Sequence, residues 1–588
     1  MDKLLRSEYP RPQMVRGNWE CLNGEWEFGY DLSDSGAERG MQELEHLPLK
    51  IRVPFCPESK LSGIGNTDFM AAVWYKKRVT FTKEQLENRI FLRMEACDYK
   101  TTVYVNGKKA GGHIGGYTTF AVEITDFAVE GENILTVQAQ DNNRSRKQPM
   151  GKQHTKYASE GAAYTRTTGI WQTVWLEFLP HTFIENIKTD TFPKDKRVTA
   201  RVTVDHDVNY TVRATVYDKG EQVAQTTASV HGKQAFLDLV LPEVTLWDVG
   251  KPYLYDWKLE LLDGETLVDS VDSYFGMRSV EWHGRCMYLN GRPLYLRTVL
   301  DQGFNPDGIY TAPSDDFLRE DIERSMALGF NGARLHQRVF EQRTLYWADQ
   351  LGYIVFSEFA NGNDMAAEDV AVFMPQWLEN MHRDYSHPAI IGWIPFNESY
   401  WTDSLWLPIQ EIIYRVTKEV DPYRPCIDAS GGYHSSLTDL YDIHDYEQDP
   451  AILREKLRRM EENTADWNNP INRDNLKTQV YTGEPYWISE AIGTFWKGGI
   501  PRRADEFAYG VDPTSEEEFA ERYDGLITAL LESPICCGFC VTQLYDIEQE
   551  CNGLMKYDRS PKFREDIYEI IRKANRKPAA IERTSPLL

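Results

Sequence analysis

Ile390-Ile391-Gly392-Trp393-Ile394-Pro395-Phe396-Asn397-Glu398-Ser399 is apolar enough to be buried, yet it ends on an amide and a carboxylate. A continuous apolar run of about four to eight residues reads as a strand buried on both faces. Working outward, seven more runs of this kind share the C-terminal half: Pro293 to Leu300, Gly329 to His336, Gly352 to Glu358, Pro425 to Ser430, Asp439 to Tyr446, Tyr486 to Ile492 and Cys536 to Leu544. Between them lie amphipathic stretches of helical length, such as Ser314 to Leu328, Phe373 to Asp384 and Leu405 to Val420. Repeated strand and helix units imply a parallel sheet, and eight strands within about 300 residues are what a (β/α)8 TIM barrel requires.

Toward the N-terminus the texture differs. Trp26 to Tyr30, Val73 to Val79, Thr101 to Val105 and Asn133 to Val137 alternate at period two, and Asn106-Gly107 supplies a hairpin turn. This predicts an antiparallel β-sandwich over residues 1–180, of the jelly-roll kind. Val198 to Val204, Tyr210 to Val216 and Trp257 to Leu261 predict a second sandwich, immunoglobulin-like, over residues 181–277. The barrel is expected over residues 278–588.

Bulk properties limit the function. The chain has 588 residues, 41% hydrophobic and 26% charged, a globular composition. Its net charge of -25 argues against a nucleic acid or an anionic membrane as partner, because both need a basic face to displace counterions. No stretch reaches the roughly 18 uncharged apolar residues of a membrane span, and the first residues lack a secretory apolar core, so a cytoplasmic location is expected. The nine cysteines are sparse, and Cys536, Cys537 and Cys540 share one apolar run, as buried thiols do. The 16 Trp and 32 Tyr offer flat ring surfaces that suit the C–H faces of sugars as well as a core.

In a TIM barrel the chemistry sits at the C-terminal ends of the strands. The polar residues there are Asp301, Arg334, His336, Glu358, Asn397, Glu398, His444, Tyr446, Glu490 and Gln543. Glu398 closes the fourth candidate strand and Glu490 lies in the seventh, so the two carboxylates face each other across the mouth. Such a pair is the equipment for cleaving a glycosidic bond. Carboxyl groups about 5 to 5.5 Å apart retain the anomeric configuration, whereas about 6.5 to 9.5 Å leaves room for water and inverts it. A lone Glu at a strand end is more simply a salt bridge or a loop cap, and that reading is preferred for Glu358.

The chain resembles glycoside hydrolase family 2, which contains β-galactosidases, β-glucuronidases and β-mannosidases. The resemblance rests on Leu22-Asn23-Gly24-Glu25-Trp26, Val105-Asn106-Gly107, Gly169-Ile170-Trp171-Gln172-Thr173-Val174-Trp175, Phe275-Gly276-Met277-Arg278 and Leu289-Asn290-Gly291-Arg292-Pro293, in this order and spacing. It implies that Glu398, after Asn397, is the acid/base and that Glu490, in Ser489-Glu490-Ala491-Ile492-Gly493, is the nucleophile of a retaining reaction. It also implies that Asn397 contacts the sugar 2-hydroxyl, that Tyr446 bonds the nucleophile, that Arg334 lies beneath it, and that His336 meets substrate. Asp301 is a candidate for binding sugar hydroxyls or for capping its loop. His444 is a further candidate substrate contact.

Two departures bear on the sugar. β-Glucuronidases carry an Asn-x-Lys pair that grips the sugar carboxylate; the corresponding stretch here is Glu550-Cys551-Asn552, with Asp546 and Glu548 nearby. That favours a neutral sugar, with a β-D-galactoside as first choice and glucuronide, mannoside or α-L-arabinoside as alternatives. Where many members place a stacking Trp, this chain has Thr542, so the platform falls to Trp496 or Trp401. A non-catalytic glycan-binding protein on a degenerate barrel is the alternative of another class. No His or Asp cluster has ligand spacing, so no metal or other cofactor is expected. The β domains are candidates for shaping the pocket rim, binding polysaccharide or forming a homo-oligomer. The stretch Asp141 to Ala163, with Arg144, Arg146, Lys147, Lys152 and Lys156, reads as a long basic loop able to reach the barrel mouth.

Overall fold

The computed structural model describes residues 4–145, 147–361, 369–399, 406–431, 434–462, 481–584 and 586–587. Trp401 and Arg146, both singled out from sequence, lie outside the described residues.

The N-terminal strands form a six-stranded antiparallel sheet in the order Leu49–Val53, Gly24–Tyr30, Ala72–Phe81, Gly131–Gln140, Lys100–Val105, Lys108–Ile114. It packs on a four-stranded sheet built from Trp19–Cys21, Val174–Leu179, Arg89–Met94 and Phe120–Glu123. The predicted Asn-Gly hairpin is present: Val105 pairs with Lys108, and Asn106 and Gly107 take φ of 51° and 78°, the left-handed values that such a two-residue turn needs. Period-two alternation becomes burial, so that Trp26, Phe28, Val103, Val105, Leu135 and Val137 meet between the sheets.

The second sandwich sets a three-stranded sheet (Ile184–Phe192, Arg197–Val204, Gln234–Val240) against a four-stranded one (Glu221–Ser229, Thr211–Asp218, Tyr255–Asp263, Thr266–Phe275). Trp257 is buried in its core with Val198, Val202, Val212 and Leu259. Three strands facing four is the immunoglobulin arrangement.

The barrel sheet is parallel and runs in the order Ile390–Ile394, Ile354–Glu358, Gly332–Leu335, Leu296–Asp301, Cys536–Thr542, Tyr486–Ile492, Tyr441–Asp445. Every residue of the first, sixth and fifth strands in that order is buried, which is why they read as unbroken apolar runs. The expected strand at 425–430 forms no ladder. It makes two parallel bridges to its neighbour, Trp393 with Cys426 and Asn397 with Ser430, and the Asp439 amide donates to the Cys426 carbonyl at 3.0 Å on the other side. The segment therefore closes the barrel while bending away from strand geometry. Pro425 offers no N–H, and the Asp428 carboxylate takes His434 Nδ1 (2.7 Å) and the Ser435 amide (2.6 Å), drawing the chain into a turn. Helices between strands start on side-chain caps at Ser314, Asp449 and Ser515. None of the described helices is long and apolar enough to cross a membrane.

The first sandwich and the barrel share one apolar cluster, to which the sandwich contributes Tyr117, Tyr164 and Trp171. The Trp171 ring lies 5.2 Å from that of Tyr310 on the barrel rim. This junction presents the sandwich loop after Gly131–Gln140 to the barrel mouth. All nine cysteines are unpaired, and burial raises the Cys540 thiol to about 12.

Candidate active site

Arg334, fully buried on its strand, organises the mouth. Its Nε donates to Glu358 Oε2 at 2.7 Å and its Nη1 to Glu490 Oε1 at 2.9 Å, while Nη2 bonds Asn397 Oδ1. One guanidinium thus holds three strand ends, a task its planar fork suits. Glu358 is fully buried; burial would raise its carboxyl, but Arg334 and His336 more than offset that and hold it below the ordinary range. The preferred reading of Glu358 as a salt-bridge residue describes its place well. His336 lies with Nδ1 3.2 Å from Glu358 and Nε2 3.9 Å from Glu490, and burial lowers its pKa.

Glu490 is 4% exposed. Its second oxygen accepts from the Tyr446 hydroxyl, which also lies 3.2 Å from Thr542 Oγ1. The Tyr446 ring stacks on Tyr509, their planes 4° apart. Gly493 makes that stack possible: a Cβ there would lie 2.5 Å from Tyr509 and 2.9 Å from Tyr446, and its φ of 58° suits glycine. Tyr509 escaped the sequence reading, since nothing local marks a tyrosine that supports another from 63 residues away. Thr542, read as a missing ring, instead joins the hydrogen bonding around Glu490.

Glu398 is held differently. Its φ of 43° is unusual for a non-glycine residue, and its amide donates to the Ser430 carbonyl at 2.8 Å. About a third of its side chain (32%) stays accessible. Its Oε1 lies 2.7 Å from His444 Nδ1. The other face of His444 meets Glu490 at 3.4 Å, Arg334 at 3.1 Å and Ser430 Oγ at 3.2 Å. Burial opposes charge on His444, but Glu490 and Glu398 raise its pKa overall. Burial likewise opposes charge on Glu398, and the bond and charge of His444 bring it well below the usual carboxylate range. The two side chains share one hydrogen bond, and each favours the charged form of the other.

Oxygens of Glu398 and Glu490 and a nitrogen of His444 lie within 4.8 Å of one another. Among the described residues this is the group whose ligand atoms converge closely enough to hold a metal ion. Below it, Asp442 accepts from the hydroxyls of Ser430 and Ser489, fixing the strand ends that carry Glu398 and Glu490.

The other expected contacts are placed as follows. Asn397 keeps its Nδ2 buried without a hydrogen-bond partner among the described residues. Asp301 accepts the Tyr545 hydroxyl and the Gly303 amide (2.9 Å), which is loop capping. Trp496 is 5% exposed and packs parallel to Phe563, with ring centroids 6.5 Å apart. The three acids after Thr542 form no free anionic cluster: Asp546 pairs with Lys562 at 2.5 Å, Glu548 accepts the Thr165 amide, and buried Glu550 accepts from the Tyr164 hydroxyl and Asn552 Nδ2.

Three family models match the chain: "Glycosyl hydrolases family 2, sugar binding domain" over residues 62–180, "Glycosyl hydrolases family 2" over 182–278, and "Glycosyl hydrolases family 2, TIM barrel domain" over 280–482. A putative beta-glucuronidase of Formosa agariphila is 29% identical over 56% of this chain and 40% of its own length. A beta-galactosidase of Thermoanaerobacterium thermosulfurigenes is 26% identical over 82% of this chain and 64% of its own. The chain thus spans 40% and 64% of the length of these two relatives. The structure of Lactobacillus rhamnosus beta-glucuronidase superposes with a TM-score of 0.81 at 20% identity, covering 98% of this chain and 100% of that one; at this identity the likeness is one of fold.

Proposed function

Because the chain belongs to glycoside hydrolase family 2, we propose that it is a retaining, exo-acting O-glycosyl hydrolase with Glu490 as nucleophile and Glu398 as acid/base. The observation that carries this reading is the approach of the two carboxylates within 4.8 Å. That approach is closer to the separation of about 5 to 5.5 Å used for double displacement than to the about 6.5 to 9.5 Å of an inverting enzyme.

In the first step a Glu490 oxygen attacks the anomeric carbon, the bond to the leaving oxygen breaks, and that oxygen takes the proton shared by Glu398 and His444. The electrostatics favour the sequence. Among the charges that raise the pKa of His444, Glu490 is the largest. As Glu490 becomes a neutral ester, His444 loses that support and the proton moves through Glu398 to the leaving group. In the second step Glu398 deprotonates a water that attacks the same carbon, freeing Glu490 and the sugar with its configuration retained. Arg334 and Tyr446 hold Glu490 in place, with one hydrogen bond to each of its oxygens. The Asn397 Nδ2, unpartnered among the described residues, is placed to bond the 2-hydroxyl, with His336 as a further contact.

For the sugar, a terminal β-D-galactoside is the first reading. It is supported by Glu550, which fills the place of the carboxylate-gripping pair and is engaged by Tyr164 and Asn552. A β-D-glucuronide is the second, supported by the name of the structurally similar Lactobacillus rhamnosus enzyme. A hydrolysis screen over nitrophenyl β-D-galactoside, β-D-glucoside, β-D-mannoside, β-D-glucuronide and α-L-arabinosides ranks them. A 2-fluoro glycoside of the winning sugar should label Glu490 covalently; binding without a bond would make the chain a lectin.

A further inference from the structure

The loop between strands Gly131–Gln140 and Gly169–Ile170 carries several cations, and most are spent inside the sandwich. Arg144 lies 4.0 Å over the Phe69 ring, and Lys156 pairs with Glu160. Lys152 differs. Its side chain, on a partly buried residue, makes no hydrogen bond or ion pair with any described residue.

Its position is tightly set. The Gly151 amide donates to the Asn361 carbonyl at 3.1 Å, and Asn361 Nδ2 donates to the Asn397 carbonyl at 3.2 Å, one residue before Glu398. A Cβ on Gly151 would sit 2.1 Å from the Gln337 carbonyl oxygen, so the loop is pressed against the strand ends that deliver Arg334, His336 and Glu358. On its other side the Lys152 carbonyl accepts the Tyr164 amide at 2.8 Å, and the Tyr164 hydroxyl donates to Glu550. Lys152 therefore stands between the Asn397-Glu398 pair and Glu550. Its charge is felt at Glu398, His336 and Glu550.

The other cations of the mouth are already committed: Arg334 to Glu358 and Glu490, His444 to Glu398. An ammonium without a counter-ion beside such a mouth is open to an anionic or strongly accepting group. Glu398 is not that group, since its Oε1 is held by His444. We propose that Lys152 is the specificity cation of the site, holding a carboxylate or sulfate ester of the substrate glycan within reach of the scissile bond. The protein would then use a sandwich loop to supply the cation that Glu550-Cys551-Asn552 does not. With a net charge of -25, a local cation is what draws an anionic glycan in. This inference rests on the glycosidase reading and narrows its substrate class.

The test compares wild type, Lys152→Met and Lys152→Arg in the full chain. The substrates are nitrophenyl β-D-galactoside, its 6-sulfate, β-D-glucuronide and β-D-galacturonide, and disaccharides with galactose β-linked to a uronic acid or a sulfated sugar. Lys152→Met should raise KM for the anionic substrates by about 10- to 100-fold and leave kcat within about threefold, as expected for a lost charge-assisted bond. The neutral galactoside should be unaffected, and Lys152→Arg should recover most of the loss. Response of the single charged glycosides places the anion on the cleaved sugar; response of the disaccharides alone places it on the neighbour. An unchanged ratio of anionic to neutral kcat/KM overturns the inference while leaving the glycosidase reading intact. Calorimetry on Glu490→Gln with D-glucuronate, galactose 6-sulfate and galactose gives a readout independent of turnover. Anion-selective binding lost in Glu490→Gln/Lys152→Met, with no hydrolysis by wild type, would sink the glycosidase reading and keep Lys152. Binding without preference for the anionic sugars would sink Lys152.

Discussion

Glu490 and Glu398 share one barrel mouth and are built in opposite ways. Glu490 is nearly inaccessible and gripped on both oxygens, by Arg334 and by Tyr446. Glu398 has about a third of its side chain in reach of solvent and a single neutralising partner, His444, itself titratable. A nucleophile must be fixed in place, which a permanent cation and a hydroxyl donor achieve. An acid/base must lose a proton and regain it, so it faces water and pairs with a group whose charge changes near neutrality.

The comparison is broken most severely at its rigid end. Glu490→Ala should lower kcat at least about 10⁴-fold on the preferred nitrophenyl glycoside, with added azide restoring part of it as the glycosyl azide. Retention of wild-type turnover would remove Glu490 from the chemistry. Next, Arg334→Met leaves Glu358 buried without its partner and should destabilise the barrel by about 3 to 5 kcal/mol, read by urea denaturation. An unaltered midpoint would mean that the Arg334–Glu358 pair carries no net weight.

Tyr446→Phe removes one of the two bonds to Glu490 and should cost about 10²-fold in kcat, with KM little changed. His444→Gln tests the adaptable end and should cost about tenfold at the optimum. Its clearer signature is in pH. With His444 present, the pair's proton leaves at the raised imidazole pKa, above the ordinary 6.5. Without it, Glu398 alone holds that proton, so the basic limb of the kcat/KM profile should move to lower pH. Stability follows the same signs. The raised His444 contributes fully below about 6.5 and loses its contribution as pH rises through its folded pKa. The depressed Glu398 contributes above about 4.5 and loses its contribution as pH falls through its folded pKa. The stability gap between wild type and His444→Gln should therefore be widest between about pH 4.5 and 6.5 and narrow on either side. A gap independent of pH would mean that His444 only fills space.

Much of the frame was legible beforehand because local patterns carry it. Unbroken apolar runs such as Tyr486–Ile492 must be buried on both faces, and the alternation in Arg197–Val204 must face a core on one side and solvent on the other. The polar residues ending such runs lie at the mouth by geometry alone, which is how Asn397, Glu398 and Glu490 could be named. The segment 425–430 is where this reasoning overreached: its composition suits a strand, but Pro425 and the turn-forming bonds of Asp428 limit it to two bridges. The three acids Asp546, Glu548 and Glu550, taken from sequence as favouring a neutral sugar, also show what a charge run omits, since it says nothing about partners such as Lys562 or Tyr164.

By itself, then, the sequence determined the order of the three folds, the register of buried and exposed faces, and the positions of the two carboxylates at strand ends. These follow from periodicities of two and of 3.6 residues and from where an apolar run stops. Only the tertiary structure decided how the two carboxylates differ, because the groups that tune them come from distant parts of the chain. Arg334 reaches Glu490 across 156 residues and Tyr164 reaches Glu550 across 386. Whether a charge is paired, shared or left waiting, as at Arg334, His444 and Lys152, depends on distances of a few ångströms that a linear pattern does not encode.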